Sequence, residues 1–94
     1  MTPQPTEFVR KLPTQARAQH TVNAILRATA HILKTKGYAE CSTNAVAKKA
    51  GVSIGSLYQY FPSKEALITA LAEEHAQKAR DLLLESIAAA AAQP

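Results

Sequence analysis

Gly51 stands between two short segments whose apolar residues recur at helical spacing, and this arrangement restricts the fold more than any other feature of the chain. The first segment covers about residues 43–50 and the second about residues 54–60. Glycine adopts positive φ without a steric cost, so one helix can end there and the chain can reverse sharply. Ala47 is small where the second helix would cross closely. The pattern therefore predicts a helix-turn-helix unit. The apolar contacts between its two helices are expected from Val46, Ala50, Val52 and Leu57.

Polar residues mark where the helices of this region begin. Either Ser42 or Thr43 can cap the first short helix, and Ser53 can cap the second. Ser63 can cap a further helix, because its hydroxyl oxygen can accept from the unpaired N–H groups of a first turn. Each cap lies directly before an apolar-periodic segment, which supports the predicted boundaries.

Two longer helices flank this unit. Helix 1 is predicted at about residues 15–36, with Thr14 as a possible N-cap and Gly37 as its end. Helix 4 follows Ser63 and ends either near Ser86 or within the alanine tract at 88–92. The predicted fold class is all-α: a three-helix bundle with a helix-turn-helix plus a long fourth helix. The stripe of helix 1 consists of Val22, Ile25, Leu26, Thr29, Ile32 and Leu33.

Charge is distributed unevenly along the 94 residues. The formal net charge is +4; residues 1–38 contribute +5 and residues 39–64 contribute +2, whereas residues 65–94 contribute −3. A positive field over the first two thirds favours a polyanionic partner. Charge alone leaves the alternative of solvated helix faces open.

The composition argues against several other classes of protein. Cys41 is the single cysteine, so neither an internal disulfide nor a cysteine-based metal site can form, and a reducing cytoplasm is expected. Cys41 itself is expected to be a small, partly buried apolar residue. No nucleophile–base set or phosphate loop is visible, which predicts no enzyme activity, no catalytic residues and no cofactor. No apolar run approaches the roughly 20 residues of a membrane span, and no membrane partner is expected. The histidines lack metal-site spacing: His20, His31 and His75.

The stretch from residue 50 to residue 67 carries the most specific signal. It reads Ala-Gly-Val-Ser-Ile-Gly-Ser-Leu-Tyr-Gln-Tyr-Phe-Pro-Ser-Lys-Glu-Ala-Leu, and Gly37-Tyr38 and Ser42-Thr43 precede it. With these residues the chain resembles the TetR family of bacterial transcriptional repressors over about residues 15–75. The resemblance implies a sequence-specific DNA-binding regulator whose helix 3 reads the major groove of a double-stranded, palindromic operator.

The same resemblance implies a domain organisation. Residues 1–13 are expected to form a flexible arm, residues 14–62 the DNA-binding domain, and residues 63–94 helix 4 and the start of a truncated or missing C-terminal domain. In the family that domain binds a ligand and forms a homodimer. A small helical protein-interaction module is the alternative function.

The resemblance also implies which residues contact DNA. Thr43 matches a phosphate contact, Asn44 a base or phosphate contact, and Lys64 a phosphate contact at the start of helix 4. Tyr58 and Tyr60 match positions that touch phosphates through their hydroxyl groups. The complete set of expected DNA-binding residues is Ser42, Thr43, Asn44, Ser53, Ile54, Gly55, Ser56, Tyr58, Gln59, Tyr60 and Lys64.

Four of these positions have a second interpretation. Gly55 can serve close approach of DNA or tight packing within the protein, and Tyr58 can be a DNA contact or a core residue. Lys64 can pair with a phosphate or remain a free surface lysine. Ile54 can meet a thymine methyl, but its spacing from Leu57 also places it near the apolar edge.

Overall fold

The computed structural model describes residues 14–93 and contains four α-helices and no strand in that range. They are α1 (Thr14–Lys36), α2 (Thr43–Ala50), α3 (Ile54–Tyr60) and α4 (Lys64–Ala91). The predicted all-α fold with a long fourth helix is confirmed. The predicted arm at 1–13 lies outside the described residues. Helix α1 begins at Thr14 itself, so Thr14 is a helical residue and the prediction that it caps the helix is wrong.

Serine side chains start the last three helices. The Oγ of Ser42 accepts from the Ala45 N–H at 3.1 Å, which identifies Ser42 as the cap of α2. Ser53 caps α3 in the same way, with its Oγ 3.0 Å from the Ser56 nitrogen. Ser63 caps α4, and its Oγ accepts from the Ala66 N–H at 3.1 Å. Each hydroxyl thus satisfies one N–H group that the helix itself leaves unpaired.

Left-handed glycines end the first two helices. Gly37 has φ +91° and its N–H donates to the Leu33 carbonyl at 3.2 Å. Gly51 has φ +77° and its N–H donates to the Lys48 carbonyl, while the Val52 N–H donates to the Ala47 carbonyl at 3.0 Å. The latter pair of bonds is a Schellman motif, which turns the chain directly from α2 toward α3.

One apolar core joins the four helices. Helix α1 packs against α2 and α4, and α3 packs against α2. Thr29 is fully buried within this core, and its hydroxyl donates to the Ile25 carbonyl at 2.8 Å, so no polar group is left unpaired there. Cys41 is fully buried rather than partly buried as expected. The buried apolar residues are Ile25, Leu26, Ala28, Ile32, Cys41, Val46, Ala47, Leu57, Phe61, Leu67 and Leu71.

Helix α4 has two different halves. Leu67 and Leu71 are buried in the core, whereas every residue at 72–93 is exposed. Where the packed half ends, the Arg27 guanidinium donates to the Glu74 carboxylate on the protein surface. The helix continues to Ala91, so the alternative in which it extends into the alanine tract is the one observed. No helix within residues 14–93 has the length and apolar character needed to cross a membrane.

We expect Leu57→Ala to destabilise the chain by about 2–5 kcal/mol, because Leu57 is fully buried and a cavity would remain between α2 and α3. Leu83→Ala removes the same atoms from a side chain that is 60% exposed, and it should change the free energy of unfolding by less than about 0.5 kcal/mol. Urea unfolding followed by circular dichroism measures both. Equal losses for the two variants would contradict the placement of the core.

Candidate nucleic-acid interface

The eleven residues expected to contact DNA all lie at the protein surface, on or beside α2, α3 and the start of α4. Seven are exposed and four are partly buried. None belongs to the fully buried core. The exposed residues are Ser42, Asn44, Ser53, Gly55, Tyr58, Gln59 and Tyr60, and the partly buried residues are Thr43, Ile54, Ser56 and Lys64.

A hydrogen bond joins the start of α2 to the middle of α3. The Thr43 Oγ1 and the Tyr58 hydroxyl are 2.9 Å apart, and either can be the donor. Tyr58 is 47% exposed, so the alternative of a buried core tyrosine is wrong. The two hydroxyl groups carry two hydrogens, and their mutual bond uses one of them. One O–H therefore remains able to donate to an external acceptor.

The serines of this region differ in whether their O–H is free to donate a hydrogen bond. Ser53 Oγ accepts from the Ser56 N–H and also donates to the Ser56 Oγ at 2.9 Å. Its single hydrogen is thus engaged inside the protein. Ser56 accepts that bond and keeps its own O–H. Ser42 Oγ accepts the capping bond at the start of α2 and likewise keeps its hydrogen. Ser42 and Ser56 are consequently the better donors for an anionic group.

Gly55 lies in open space on the outside of α3. A Cβ built on it would meet only the Ser53 Oγ, at 4.0 Å, which is an ordinary contact. Its φ is not positive either, so neither packing nor backbone conformation requires glycine there. The alternative of tight packing within the described protein is therefore wrong. The neighbouring Ile54 is partly buried against the core, so it lies at the boundary between the apolar edge and the surface.

Lys64 is held against the loop that joins α1 to α2. Its Nζ donates to the Tyr38 carbonyl and lies 3.6 Å from the centroid of the Tyr38 ring. The alternative of a free surface lysine is therefore wrong. Tyr38 is not among the eleven residues predicted to contact DNA. Tyr38 is separated from Lys64 by 26 positions, and periodicity within either segment does not report this contact.

The remaining members of the set present unengaged polar groups. Asn44, Gln59 and Tyr60 are exposed and form no side-chain hydrogen bond within the part of the chain that the structure describes. Lys48 and Lys49 on α2 are also exposed. An amide has both donors and acceptors, so Asn44 and Gln59 can pair with base edges as well as with phosphates.

Cys41 lies buried in the core beneath this surface. Burial raises the pKa of the Cys41 thiol, and the positive charge of Lys64 offsets part of that increase. The thiol therefore stays protonated near neutral pH and packs as a small apolar group. Residues 14–93 contain no group of three or more histidine, cysteine or acidic side chains that could hold a metal ion.

Comparison with known proteins gives a consistent family assignment. A sequence model described as bacterial regulatory proteins, tetR family, matches residues 25–71. The HTH-type transcriptional regulator EthR of Mycolicibacterium smegmatis is 48% identical over 48 residues, which is 51% of this chain and 22% of that protein. UidR of Escherichia coli, also named an HTH-type transcriptional regulator, is 38% identical over 65 residues, or 69% of this chain and 33% of that protein.

A third relative is the HTH-type transcriptional repressor KstR of Rhodococcus jostii, 47% identical over 51 residues, which is 53% of this chain and 24% of that protein. The chain thus spans between 22% and 33% of the length of these relatives. The family match begins within α1 and ends at the last buried leucine of α4, so it coincides with the packed core. The chain belongs to the tetR family of bacterial regulatory proteins.

Proposed function

We propose that this chain is the sequence-specific DNA-binding part of a transcriptional repressor and that it inserts α3 into the major groove of double-stranded DNA. The observation that carries the proposal is the outer side of α3. Leu57 anchors the inner side in the core, while Gly55, Gln59 and Tyr60 remain exposed on a helix of the width that the major groove admits.

The phosphate backbone would be bound by groups on α3 itself, at the start of α2 and at the start of α4. The Thr43–Tyr58 pair offers one free O–H, Ser42 and Ser56 each offer another, and Lys64 supplies a positive charge. Most contacts between proteins and DNA are made to phosphates, and they position the helix that reads the bases. Asn44 and Gln59 would be the residues that distinguish bases.

The names of the relatives support a regulatory function, and one of them supports repression. EthR and UidR are named transcriptional regulators, and KstR is named a repressor. A homodimer on a palindromic operator in the cytoplasm is proposed for the intact protein, with residues 14–62 as the DNA-binding unit. Residues from 63 onward would connect it to a C-terminal domain, since the exposed half of α4 carries apolar side chains. Those side chains are Leu82, Leu83, Leu84 and Ile87.

Selection of bound duplexes from a random DNA pool tests the proposal directly. We expect a recurrent sequence to be enriched and its affinity to fall as salt rises, because phosphate contacts release counterions. The affinity of the 94-residue chain should be weak, since a single reading head gains nothing from a linked half-site. If the selected duplexes share no common sequence, the proposal of sequence-specific DNA binding is wrong. Absence of any salt-dependent DNA binding would favour the small protein-interaction module instead.

Gly55→Ala separates the DNA surface from the fold. The free protein should be equally stable or more stable by up to about 1 kcal/mol, because alanine favours a helix and its Cβ meets only the Ser53 Oγ. DNA approaching α3 would meet the added methyl group, so affinity for the selected sequence should fall. Thermal unfolding and DNA titration measure the two effects. Gln77→Ala on the exposed half of α4 is the control and should leave DNA affinity unchanged. Undiminished affinity of Gly55→Ala would show that nothing approaches α3 closely.

Lys64→Ala and Gln59→Ala should reduce DNA affinity in different ways. Loss of Lys64 should weaken selected and scrambled duplexes about equally and reduce the slope of log affinity against log salt by about one unit. Loss of Gln59 should cost roughly 1–3 kcal/mol on the selected duplex alone, if its amide pairs with a base. A salt series on both duplexes measures these effects. An unaltered slope for Lys64→Ala would remove its phosphate role, and equal losses for Gln59→Ala would assign that residue to the backbone.

A further inference from the structure

Tyr38 contacts Lys64 through two different groups. The Lys64 Nζ donates to the Tyr38 carbonyl, and it also lies over the Tyr38 ring at 3.6 Å from the centroid. The same carbonyl accepts the Cys41 N–H at 3.1 Å, which closes the turn between α1 and α2. The ammonium group at the start of α4 is thereby tied to a loop that lies beside the start of α2.

These contacts leave Lys64 with a limited capacity for an external ligand. An ammonium group has three N–H donors and no acceptor. One donor is used by the Tyr38 carbonyl, and the ring face attracts the cation on a second side. At least one N–H of the ammonium group is therefore left to donate to an external acceptor. A flexible lysine stem ordinarily loses considerable rotamer entropy when it binds an anion, and here much of that ordering is already present in the free protein.

We propose that Tyr38 is a positioning residue for anion binding: its aromatic ring holds the Lys64 ammonium in place for one phosphate of the DNA backbone. This inference rests on the proposed DNA-binding function and adds a residue to it. Tyr38 is 57% exposed, so its ring contributes little to the core, and the contact with Lys64 accounts for an aromatic residue at this surface position.

The ring contact is tested first without DNA. The Lys64 Cε protons of the folded chain should show an upfield ring-current shift in a two-dimensional ¹H–¹³C NMR spectrum. Tyr38→Phe should retain that shift, and Tyr38→Leu, which keeps apolar bulk but has no ring, should abolish it. A Lys64 signal at its ordinary position in the unsubstituted chain would overturn the inference whatever the chain does with DNA.

The effect on binding is tested with a double-mutant cycle on the DNA sequence selected from the random pool. Tyr38→Leu should weaken binding about two- to fivefold when Lys64 is present, because the ordering lost with the ring is limited by the strength of an exposed cation–π contact. It should cause no further loss in the Lys64→Ala background. Tyr38→Phe should restore the affinity, because the ring and the backbone carbonyl are both retained. Melting temperatures of all variants are measured so that titrations are made on folded protein.

The remaining outcomes decide between this inference and its rivals. Equal losses from Tyr38→Leu in both backgrounds would assign Tyr38 a contact or packing role independent of Lys64. Tighter binding by Tyr38→Leu would mean that the ring competes with the phosphate, and it too would overturn the proposal. If the unsubstituted chain binds no DNA while the ring-current shift is present, the proposed function fails and Tyr38 positions Lys64 for no phosphate.

Discussion

The positive φ of Gly51 is the constraint on which the helix-turn-helix unit depends. It allows the Val52 N–H to reach the Ala47 carbonyl, so α2 ends and the chain turns within two residues. Because the turn is this short, Leu57 of α3 enters the core formed by α1 and α2, and it is fully buried. Any residue with a Cβ would be strained at Gly51, and a longer connection would let α3 move relative to α2. The orientation of the outer side of α3 therefore follows from one backbone conformation.

Several polar groups of the surface also form hydrogen bonds within the protein. Ser42 and Ser53 use their oxygens to cap α2 and α3, and Thr43 and Tyr58 tie the two helices together by a hydrogen bond. Side chains held in this way are ordered before a ligand arrives, so less conformational entropy is lost on binding. Gly55 contributes differently, since it leaves space outside α3 that no other part of the described protein fills. Together these features give an open polar surface on which several side chains are already held by hydrogen bonds.

Helix α4 packs against the core along its first half only. Its first two turns pack through Leu67 and Leu71, and the ion pair between Arg27 and Glu74 follows at the surface. Such an exposed pair contributes little to stability, so the buried leucines hold α4 in place. The family match ends at residue 71, where burial ends as well. The matched sequence and the buried core thus cover the same part of the chain, and the exposed half of α4 lies outside both.

Much of the fold could be predicted from the sequence, because it depends on local chemistry. Helical periodicity, serine caps and the glycines at 37 and 51 act within one turn of chain, and they located all four helices to within a few residues. Helix α1 begins one residue earlier than predicted, because Thr14 was interpreted as a cap and is the first helical residue. The candidate site was predicted through family resemblance, and its DNA contacts remain predictions. Tertiary structure alone decided that Tyr58 is exposed and bonded to Thr43, that Gly55 is open, and that Lys64 rests on Tyr38. These facts depend on which residues distant in the chain become neighbours, and that follows from how the helices pack rather than from any pattern within one of them.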